Sequence, residues 1–403
     1  MHDRNLLVES TFDTKIVGIP IEGDWGQKDS YLNSMKKSIQ ANDGAYDLID
    51  GYAAVIGGAY ADGLMMNLHD VSNLRPTSTW WSQLAVNELT VNGKLFGIPG
   101  DLSLNLWKNI HVMFFNKTVL ENNGLEKPYD TVKNGKWTYD KLTEMAEATY
   151  NDSNGDGTMT PDDVYGFLGG RDVIDSLYHG SGSQFITKNE NDEFVFTFGT
   201  ERDVDVISKG IDIVNSSWYF NHHAWKDQSD ILYRQIFETG HGLFFWMRLD
   251  DVTNMRAGEA DFGIIPMPKY DEAQDGYHSF VHMYCANCII IPKTNRDLDR
   301  TGVIIEALSA ASVDTLKPAY YDKALKGKGS RDEESSKMLD IIFATRIFDL
   351  GYMFNWGSVY TNVGSLAGKK GGDISGYSST MQKAAKLVPK TIQKTMDKVD
   401  EIE

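Results

Sequence analysis

Cysteine, proline and long apolar runs are all scarce in this sequence of 403 residues, which has two cysteines and ten prolines. No stretch approaches the ~18 consecutive apolar residues of a transmembrane helix. The opening residues, Met1-His2-Asp3-Arg4, lack the basic start and apolar core of a signal peptide. These absences predict a globular chain that is either cytoplasmic or the trimmed mature form of an exported protein.

The two cysteines, Cys285 and Cys288, have a C-x-x-C spacing but predict neither redox nor zinc chemistry. They lie in the apolar stretch 284–292, which is typical of a strand, and strand residues three apart point to opposite faces. A redox C-x-x-C should open a helix, whose N-terminus lowers the pKa of the thiol, and a zinc site needs a second pair of ligands. We expect two ordinary strand cysteines, with a disulfide as the alternative.

Basic residues are outnumbered, with 39 lysines and arginines against 57 acids and a net charge of −18. A field of this sign repels nucleic acid and anionic membrane surfaces. It favours neutral or cationic ligands, but many secreted bacterial proteins are acidic, so the charge by itself identifies no ligand.

Helical and strand patterns alternate along the chain, which predicts an α/β fold. The length favours two domains, since one domain usually contains ~100–200 residues. Predicted strands cover 14–20, 46–49, 110–115, 242–247, 261–265 and 280–291. Predicted helices cover 28–41, 53–64, 300–311, 336–350 and 378–403.

Local signals refine these elements. Asn92-Gly93 predicts the type I′ turn of a hairpin over 89–98, and Thr138 predicts the N-cap of a helix that runs to about 149. Gly351 is placed to end the helix over 336–350, and Pro389 is expected to break the last helix.

Several phrases occur together in a characteristic order. They are Tyr46-Asp-Leu-Ile-Asp50, Trp80-Trp81, Asn92-Gly-Lys-Leu-Phe-Gly-Ile-Pro-Gly-Asp101, Phe114-Phe-Asn-Lys117, Gly124-Leu-Glu-Lys-Pro-Tyr-Asp130, Gly135-Lys-Trp-Thr138, Asp261-Phe-Gly-Ile-Ile-Pro-Met-Pro-Lys-Tyr-Asp271 and Ile289-Ile-Ile-Pro-Lys-Thr294. As a set, from about Arg4 to the C-terminus, they resemble the extracellular solute-binding proteins of carbohydrate ABC importers, the maltose-binding-like family.

The resemblance implies a two-lobed, periplasmic-binding-protein-like α/β fold with a hinge and a ligand cleft between the lobes. The implied N-lobe is 1–112 plus 284–325, and the implied C-lobe is 113–283 plus 326–403. Such proteins start with a signal peptide, a lipid-attached cysteine and a first strand, whereas this sequence starts near the family's first helix. We therefore expect that the first strand is missing, either because the sequence is truncated or because this protein lost it. The lipid anchor is implied by the resemblance alone.

The function implied by the resemblance is capture of a carbohydrate, expected to be an oligosaccharide, and its delivery to the permease subunits of an ABC transporter. No catalysis is expected. The implied protein is a monomeric, extracellular, cell-surface lipoprotein of a bacterium, with no nucleic-acid partner and membrane contact only through the lipid anchor.

A calcium loop is predicted at 152–163, which matches the twelve-residue EF-hand pattern. The expected oxygen ligands are Asp152, Asn154, Asp156, the Thr158 carbonyl and Asp163. Aspartate at position twelve is shorter than the usual glutamate, and Pro161 argues against a regular exit helix. We expect a structural calcium ion that holds one loop of the C-lobe, and the alternative is a solvated turn without metal.

Aromatic residues near turns or strand ends are the candidates for sugar contacts, because sugars combine apolar CH faces with hydroxyl groups. Asp101 follows the hairpin, and Trp107 lies in a polar stretch before the strand over 110–115. The remaining candidates are Trp246, Arg248, Trp356, Trp80, Trp81, Tyr284 and Trp25. Packing of Trp107 in a loop and pairing of Arg248 with Asp250 or Asp251 are the structural alternatives.

Other functions remain open at this point. A carbohydrate-active hydrolase needs two carboxylates ~5–9.5 Å apart, and with 57 acids such pairs are always available, so their presence proves nothing. A binding protein for a non-sugar solute, such as a peptide, is compatible with the same fold. A calcium-regulated interaction module is disfavoured because the EF-hand-like loop is solitary.

Overall fold

The structure is a computed structural model that describes residues 1–23, 26–170, 172–224, 230–255, 258, 260–283, 286–329, 332–364, 366 and 373–402. Two candidate ligand residues, Trp25 and Tyr284, lie outside the described residues, as does Cys285. Cys288 is buried and has a free thiol.

Helices and strands alternate, as the sequence predicts. The helices are α1 His2–Phe12, α2 Lys28–Ala41, α3 Ala53–Gly57, α4 Gln83–Leu89, α5 Asn105–Lys108, α6 Lys117–Asn122, α7 Tyr129–Lys133, α8 Tyr139–Thr149, α9 Val173–Gly180, α10 Glu201–Asn215, α11 Asp230–Glu238, α12 Asp251–Met255, α13 Leu298–Asp314, α14 Leu316–Pro318, α15 Glu333–Ala344, α16 Leu350–Phe354, α17 Val359–Gly364 and α18 Tyr377–Asp400. The strands are β1 Ile49–Tyr52, β2 His111–Asn116, β3 Tyr165–Gly169, β4 Ile186–Lys188, β5 Phe194–Phe196, β6 Tyr219–Asn221, β7 Gly242–Arg248, β8 Phe262–Ile265, β9 Ser279–Phe280, β10 Asn287–Ile290 and β11 Arg346–Ile347.

The C-terminal lobe is built on a five-stranded sheet with the order β6-β3-β7-β2-β8. Strands β6, β3 and β7 run parallel, and β2 lies antiparallel between β7 and β8. All residues of β2 and of β8 are buried, which explains why their sequences are continuous apolar runs instead of alternating patterns. Thr138 caps α8 as predicted, with its Oγ1 accepting a hydrogen bond from the Lys141 N–H at 3.3 Å.

The N-terminal lobe is built on β1 and β10, which pair antiparallel with Ile49 opposite Ile290. The two strands come from distant parts of the chain. Ile98 adds a bridge to Ile289 after the predicted turn, where both Asn92 and Gly93 have positive φ, at 49° and 74°. These two sheets are the centres of the lobes of a two-lobed, periplasmic-binding-protein-like fold, and the lobe boundaries near 112, 283 and 325 stay predictions from the sequence.

The strand predicted over 14–20 was wrong. This segment is extended, but no described strand pairs with it, and the side chains of Val17 and Ile19 are 73% and 56% exposed. An alternating apolar pattern becomes a strand only where a neighbouring strand supplies hydrogen bonds, and here the N–H groups of Thr14 and Ile16 donate instead to Glu9 of the preceding helix.

Other predicted boundaries also differ. The strand predicted over 46–49 lies at Ile49–Tyr52, and the helix over 53–64 ends at Gly57. The long strand over 280–291 divides into the ends of β9 and β10. The helix over 336–350 ends at Ala344, where the chain turns into β11.

Two helix-breaking signals were overridden. Gly351 lies inside α16, where its N–H donates to Asp349 Oδ1 at 2.7 Å. Pro389 lies inside α18, which continues through it because both halves of this helix are packed on the lobes. Among the described helices, none combines the length and the apolar character needed to cross a bilayer.

Candidate functional site

A cluster of polar and aromatic side chains, here named the junction cluster, lies where the chain crosses between the lobes. Its members are His111, Asp175, Ser176, Trp246, Arg248, His282 and Tyr352. They come from β2, α9, β7, α16 and the segment between β9 and β10, so elements distant in sequence meet at this one place.

Ser176 is the central hydroxyl of the cluster. Trp246 Nε1 donates to Ser176 Oγ at 2.9 Å, and Ser176 Oγ lies 2.5 Å from His111 Nδ1. Since an indole N–H can only donate, the Ser176 hydroxyl accepts from Trp246 and its proton is available to His111. His111 therefore fits the neutral tautomer that carries its proton on Nε2.

Two histidines face each other across the crossing. The rings of His111 and His282 are 5.1 Å apart, and His282 Nε2 lies 3.1 Å from the Tyr352 hydroxyl. Burial lowers the pKa of both histidines, and that of His282 falls to about 3. Arg248 lies opposite His111 in the strand register and lowers both pKa values further through its charge. The junction therefore combines neutral imidazoles and aromatic rings with the guanidinium of Arg248 and the carboxylate of Asp175.

A buried histidine–aspartate pair holds two elements of the junction in place. His179 Nε2 lies 2.9 Å from Asp349 Oδ2, and both side chains are fully buried. Asp349 also accepts from the Phe185 N–H at 2.6 Å, while His179 stacks on Phe280 with ring centroids 4.0 Å apart. These contacts join α9 to the start of α16, which carry Ser176 and Tyr352.

The predicted residues Trp246 and Arg248 belong to the junction cluster. Trp246 is 6% exposed and contacts the His111 ring at 5.0 Å. The pKa of Asp251 is raised by burial and lowered by Arg234 and more weakly by Arg248, so Asp251 is electrostatically coupled to both arginines.

The predicted residues Asp101 and Trp107 meet at a separate place, where a hydrogen bond joins their side chains. Trp107 packs against Phe343 at 4.9 Å, and the Arg346 guanidinium lies 5.5 Å from its ring. Burial raises the pKa of Asp101, while Lys317 and Arg346 act to lower it. This group connects the N-terminal lobe to α14 and β11, and Trp107 is buried in it.

The two adjacent tryptophans have different environments. Trp81 is 2% exposed, and its Nε1 donates to Glu306 Oε2 at 3.1 Å, which makes it a core residue. Trp80 is half-buried beside Asp101, whose N–H donates to the Trp80 carbonyl at 2.9 Å. The Trp80 Nε1 is buried and has no hydrogen-bond partner among the described residues.

Trp356 is packed instead beneath α18. Its Nε1 donates to Thr395 Oγ1 at 2.9 Å, and its ring stacks on Phe354 at 4.4 Å. Phe354 in turn contacts Tyr60 of the N-terminal lobe at 5.4 Å. The structure thus places Trp356 next to an interlobe contact and outside the junction cluster.

The sequence interpretation missed His111, Asp175, Ser176, His282 and Tyr352. His111 is the one residue that carried a usable signal, because a polar side chain at the start of an otherwise apolar strand must find a buried partner. The other four come together only through the packing of elements that are distant in the sequence.

The predicted calcium loop forms a closed turn in which the expected ligands accept backbone hydrogen bonds. Asp152 accepts from the Gly155 and Gly157 N–H groups, each at 2.8 Å, and these two glycines have positive φ. Asp163 accepts from the Ser153 N–H at 2.9 Å and the Thr160 N–H at 2.8 Å, and these donors lower its pKa. Among the residues that the structure describes, no three histidine, cysteine, aspartate or glutamate side chains converge as metal ligands.

Known structures share this two-lobed fold. An ABC substrate-binding protein of Listeria monocytogenes in complex with cycloalternan is 10% identical, with a TM-score of 0.61 over 100% of this chain and 95% of that one. The GacH receptor of Streptomyces glaucescens, solved unliganded and with acarbose, is 15% identical, with a TM-score of 0.60 over 100% and 95%. The galacto-N-biose-/lacto-N-biose I-binding protein of Bifidobacterium longum is 11% identical, with a TM-score of 0.64 over 97% and 93%.

The fold is therefore that of the two-lobed, periplasmic-binding-protein-like class. The chain belongs to the bacterial extracellular solute-binding proteins, whose family model matches residues 10–316. No curated protein sequence matches the chain.

Proposed function

We propose that this protein captures an oligosaccharide between its two lobes and delivers it to the permease subunits of an ABC importer. The observation that carries the proposal is the junction cluster, in which aromatic rings alternate with hydroxyl, imidazole, carboxylate and guanidinium groups. Aromatic faces suit the apolar CH surface of a sugar ring, and the polar groups suit its hydroxyls.

The three compared structures support the choice of solute, because their names record complexes with cycloalternan, acarbose and lacto-N-biose. Their low identity makes this support indirect, since fold does not fix the ligand. The residues of this chain must therefore carry the specificity, and Trp246, Arg248 and Tyr352 are the ones we assign to it.

The mechanism is capture without chemistry. A solute enters between open lobes, where the part-exposed Arg248 donates hydrogen bonds to its hydroxyl groups. Trp246 and Tyr352 are 6% and 1% exposed in this structure, so their rings become available to a sugar only when the lobes separate. Closure then removes water from these contacts, which strengthens each polar interaction. The closed form is the one that docks on the permease.

Thermal unfolding in the presence of mono- and oligosaccharides tests the proposal, because a ligand that binds only the folded state raises the unfolding midpoint by mass action. We expect a shift with one family of glycans and an unchanged glycan after incubation. Breakdown of the glycan would instead establish a hydrolase. A shift with peptides and with no sugar would establish a binding protein for another solute.

A point variant tests the position of the site. We expect R248Q to weaken sugar affinity by at least ~10-fold, because charged hydrogen bonds contribute about 1.5–3 kcal/mol. The matched control is R300Q, which makes the same change at an exposed arginine paired with Asp47 at 3.3 Å. Equal affinities of R248Q and the wild-type protein would move the site away from the junction.

We also propose that the loop over 152–163 binds a structural calcium ion through Asp152, Asn154, Asp156, the Thr158 carbonyl and Asp163. The turn is favourable because each Asp152 oxygen accepts one N–H and so retains a lone pair for a cation. Titration calorimetry with calcium should show binding to the wild-type protein and none to D156A, with D162N as the control. Absence of binding heat and of any chelator effect on the unfolding midpoint would make the loop a metal-free turn.

The remaining parts of the proposal concern location and assembly. We propose a monomeric, lipid-anchored protein at the outer face of the cell, since the family is extracellular. Fractionation of the native cells and sedimentation of the purified protein test these two statements separately.

A further inference from the structure

The β4–β5 hairpin of the C-terminal lobe reaches the N-terminal lobe through one lysine. Lys188 Nζ lies 2.7 Å from the Asn87 carbonyl oxygen and 2.5 Å from that of Thr90, both at the carboxyl end of α4. It also lies 2.7 Å from Asp192 Oδ1 on its own hairpin. The Lys188 side chain is only 10% exposed, and its bond to the Thr90 carbonyl is the part-buried one of the three.

Every hydrogen-bond donor of the Lys188 ammonium has an acceptor in this contact. A lysine ammonium has three N–H donors, and Lys188 directs them at two carbonyls and one carboxylate. The last carbonyls of a helix have no partner within the helix and carry its partial negative charge. Lys188 therefore caps α4 from the opposite lobe.

The carboxylate of Glu88 also depends on the positive charge of Lys188. Its Oε2 is buried and has no hydrogen-bond partner among the described residues. Burial raises the pKa of Glu88, and the charge of Lys188 opposes this rise. Without Lys188, the part-buried Thr90 carbonyl and the buried Glu88 Oε2 would lose this positive charge in the closed form, whereas water can solvate both when the lobes separate.

The β4–β5 hairpin lies beside a second contact between the lobes. Phe194 lies 5.2 Å from Lys188 Nζ and 5.3 Å from the ring of Trp356. Nearby, α16 packs on α3, where a Cβ added at Gly57 would lie 3.0 Å from the Met353 carbonyl oxygen. Capping by Lys188 is thus part of one surface that forms when the lobes are together.

We propose that Lys188 is a latch that stabilises the closed form of the protein by capping α4 across the lobe boundary. Its effect on solute affinity rests on the proposed function, whereas its effect on lobe closure does not. The latch would slow release of a bound solute without touching it.

Small-angle X-ray scattering and hydrogen–deuterium exchange of K188M test the latch without any ligand. We expect a larger radius of gyration and ~10-fold faster exchange in peptides covering 83–90 and 186–196, and K188R should restore part of the protection. The control K209M removes a lysine that pairs with Asp140 at 2.7 Å within the C-terminal lobe, and it should behave as the wild-type protein.

D192N is the second variant, because it keeps the lysine but removes the charge that orients it. It should change scattering and exchange in the same direction as K188M and by less. Wild-type scattering and exchange in K188M, or in D192N if K188M does not fold, would overturn the latch.

Affinity for the sugar identified by thermal unfolding separates the two proposals. We expect K188M to bind it ~10-fold more weakly, a difference of about 1.4 kcal/mol. If no sugar binds the wild-type protein, the proposed function fails, while scattering and exchange still decide on the latch.

Discussion

The two lobes differ in how far each is completed by its own stretch of chain. The C-terminal sheet has five strands, and its central strand β2 is flanked by β7 and β8, with every residue buried. The N-terminal sheet pairs β1 with β10, two strands separated by more than half of the chain. The N-terminal sheet therefore needs a strand from a distant part of the chain, whereas the five strands of the C-terminal sheet all lie between residues 111 and 265.

The segment over 14–21 shows the consequence of this difference. Its apolar residues Val17, Ile19 and Ile21 are exposed, and a cavity of about 230 Å³ separates Ile19 and Ile21 from β1. In the C-terminal lobe a similar apolar pattern is covered by neighbouring strands. An apolar run is therefore buried as a strand only when the fold places a neighbouring strand beside it.

The largest expected difference between the lobes comes from shortening a buried side chain in the C-terminal lobe and an exposed one in the N-terminal lobe. Phe114 lies between Phe245 and Phe262, with ring centroids 5.8 Å from each, so F114A should lower the free energy of unfolding by about 3–5 kcal/mol. V17A, at an exposed position, should change it by less than ~0.5 kcal/mol in chemical denaturation. Similar losses in the two variants would contradict the difference between the lobes.

Acid should weaken the junction between the lobes. The pKa of His282 is about 3 in the folded protein because of burial, whereas an unfolded histidine titrates near about 6.5. The stability from neutral His282 is therefore fully present above pH ~6.5 and is lost as the pH falls toward 3. At pH 5 we expect a loss of about 2 kcal/mol, with His111 acting in the same direction.

Chemical denaturation at pH 7.5 and pH 5.0 measures this loss, and H282Q should reduce the pH dependence relative to the wild-type protein. H69Q is the control, because it makes the same change at an exposed histidine of the N-terminal lobe. A pH dependence that is identical in H282Q and the wild-type protein would show that His282 does not titrate with unfolding.

The dependence of the N-terminal lobe on distant chain can be measured at Lys94. Its Nζ donates to the Val399 carbonyl at 3.0 Å and to the carbonyl of Ile402, so it caps the end of α18. K94M should lower the free energy of unfolding by about 1 kcal/mol. K390M, on the exposed face of the same helix, is the matched control. If K390M lowered the free energy of unfolding as much as K94M, the effect would come from loss of a positive charge near α18 and not from the cap.

The smallest expected effect on stability concerns the exposed segment. V17T combined with I19T should change the free energy of unfolding by less than ~0.5 kcal/mol, since both side chains already contact water. The same variant should associate less at high concentration in light scattering, because an exposed apolar extended segment promotes intermolecular pairing. Unchanged association would mean that this segment does not mediate contacts between molecules.

Much of the secondary structure follows from local signals. The periodicity of α2 gave its bounds, Thr138 capped α8, and Asn92-Gly93 formed the predicted turn. The failures occur where tertiary contacts override local preference. Pro389 is tolerated because packing on both sides holds α18, and Gly351 begins a helix because Asp349 binds its N–H.

Of the candidate site, the sequence identified Trp246 and Arg248 but not their partners. Trp246 and Arg248 stand at a strand end, which a pattern can reveal. His282 and Tyr352 lie in segments without a distinctive local pattern, and they reach His111 only because the chain crosses between the lobes more than once.

The sequence by itself determined the α/β class, the family and the buried strands of the C-terminal lobe, because apolar periodicity and ordered motifs are local properties. Only the tertiary structure decided which side chains meet at the junction, that no strand of the described residues pairs with the segment over 14–20, and that Lys188 caps a helix of the other lobe. Those outcomes depend on distances between residues far apart in the chain, and such distances are set by the packing of whole elements.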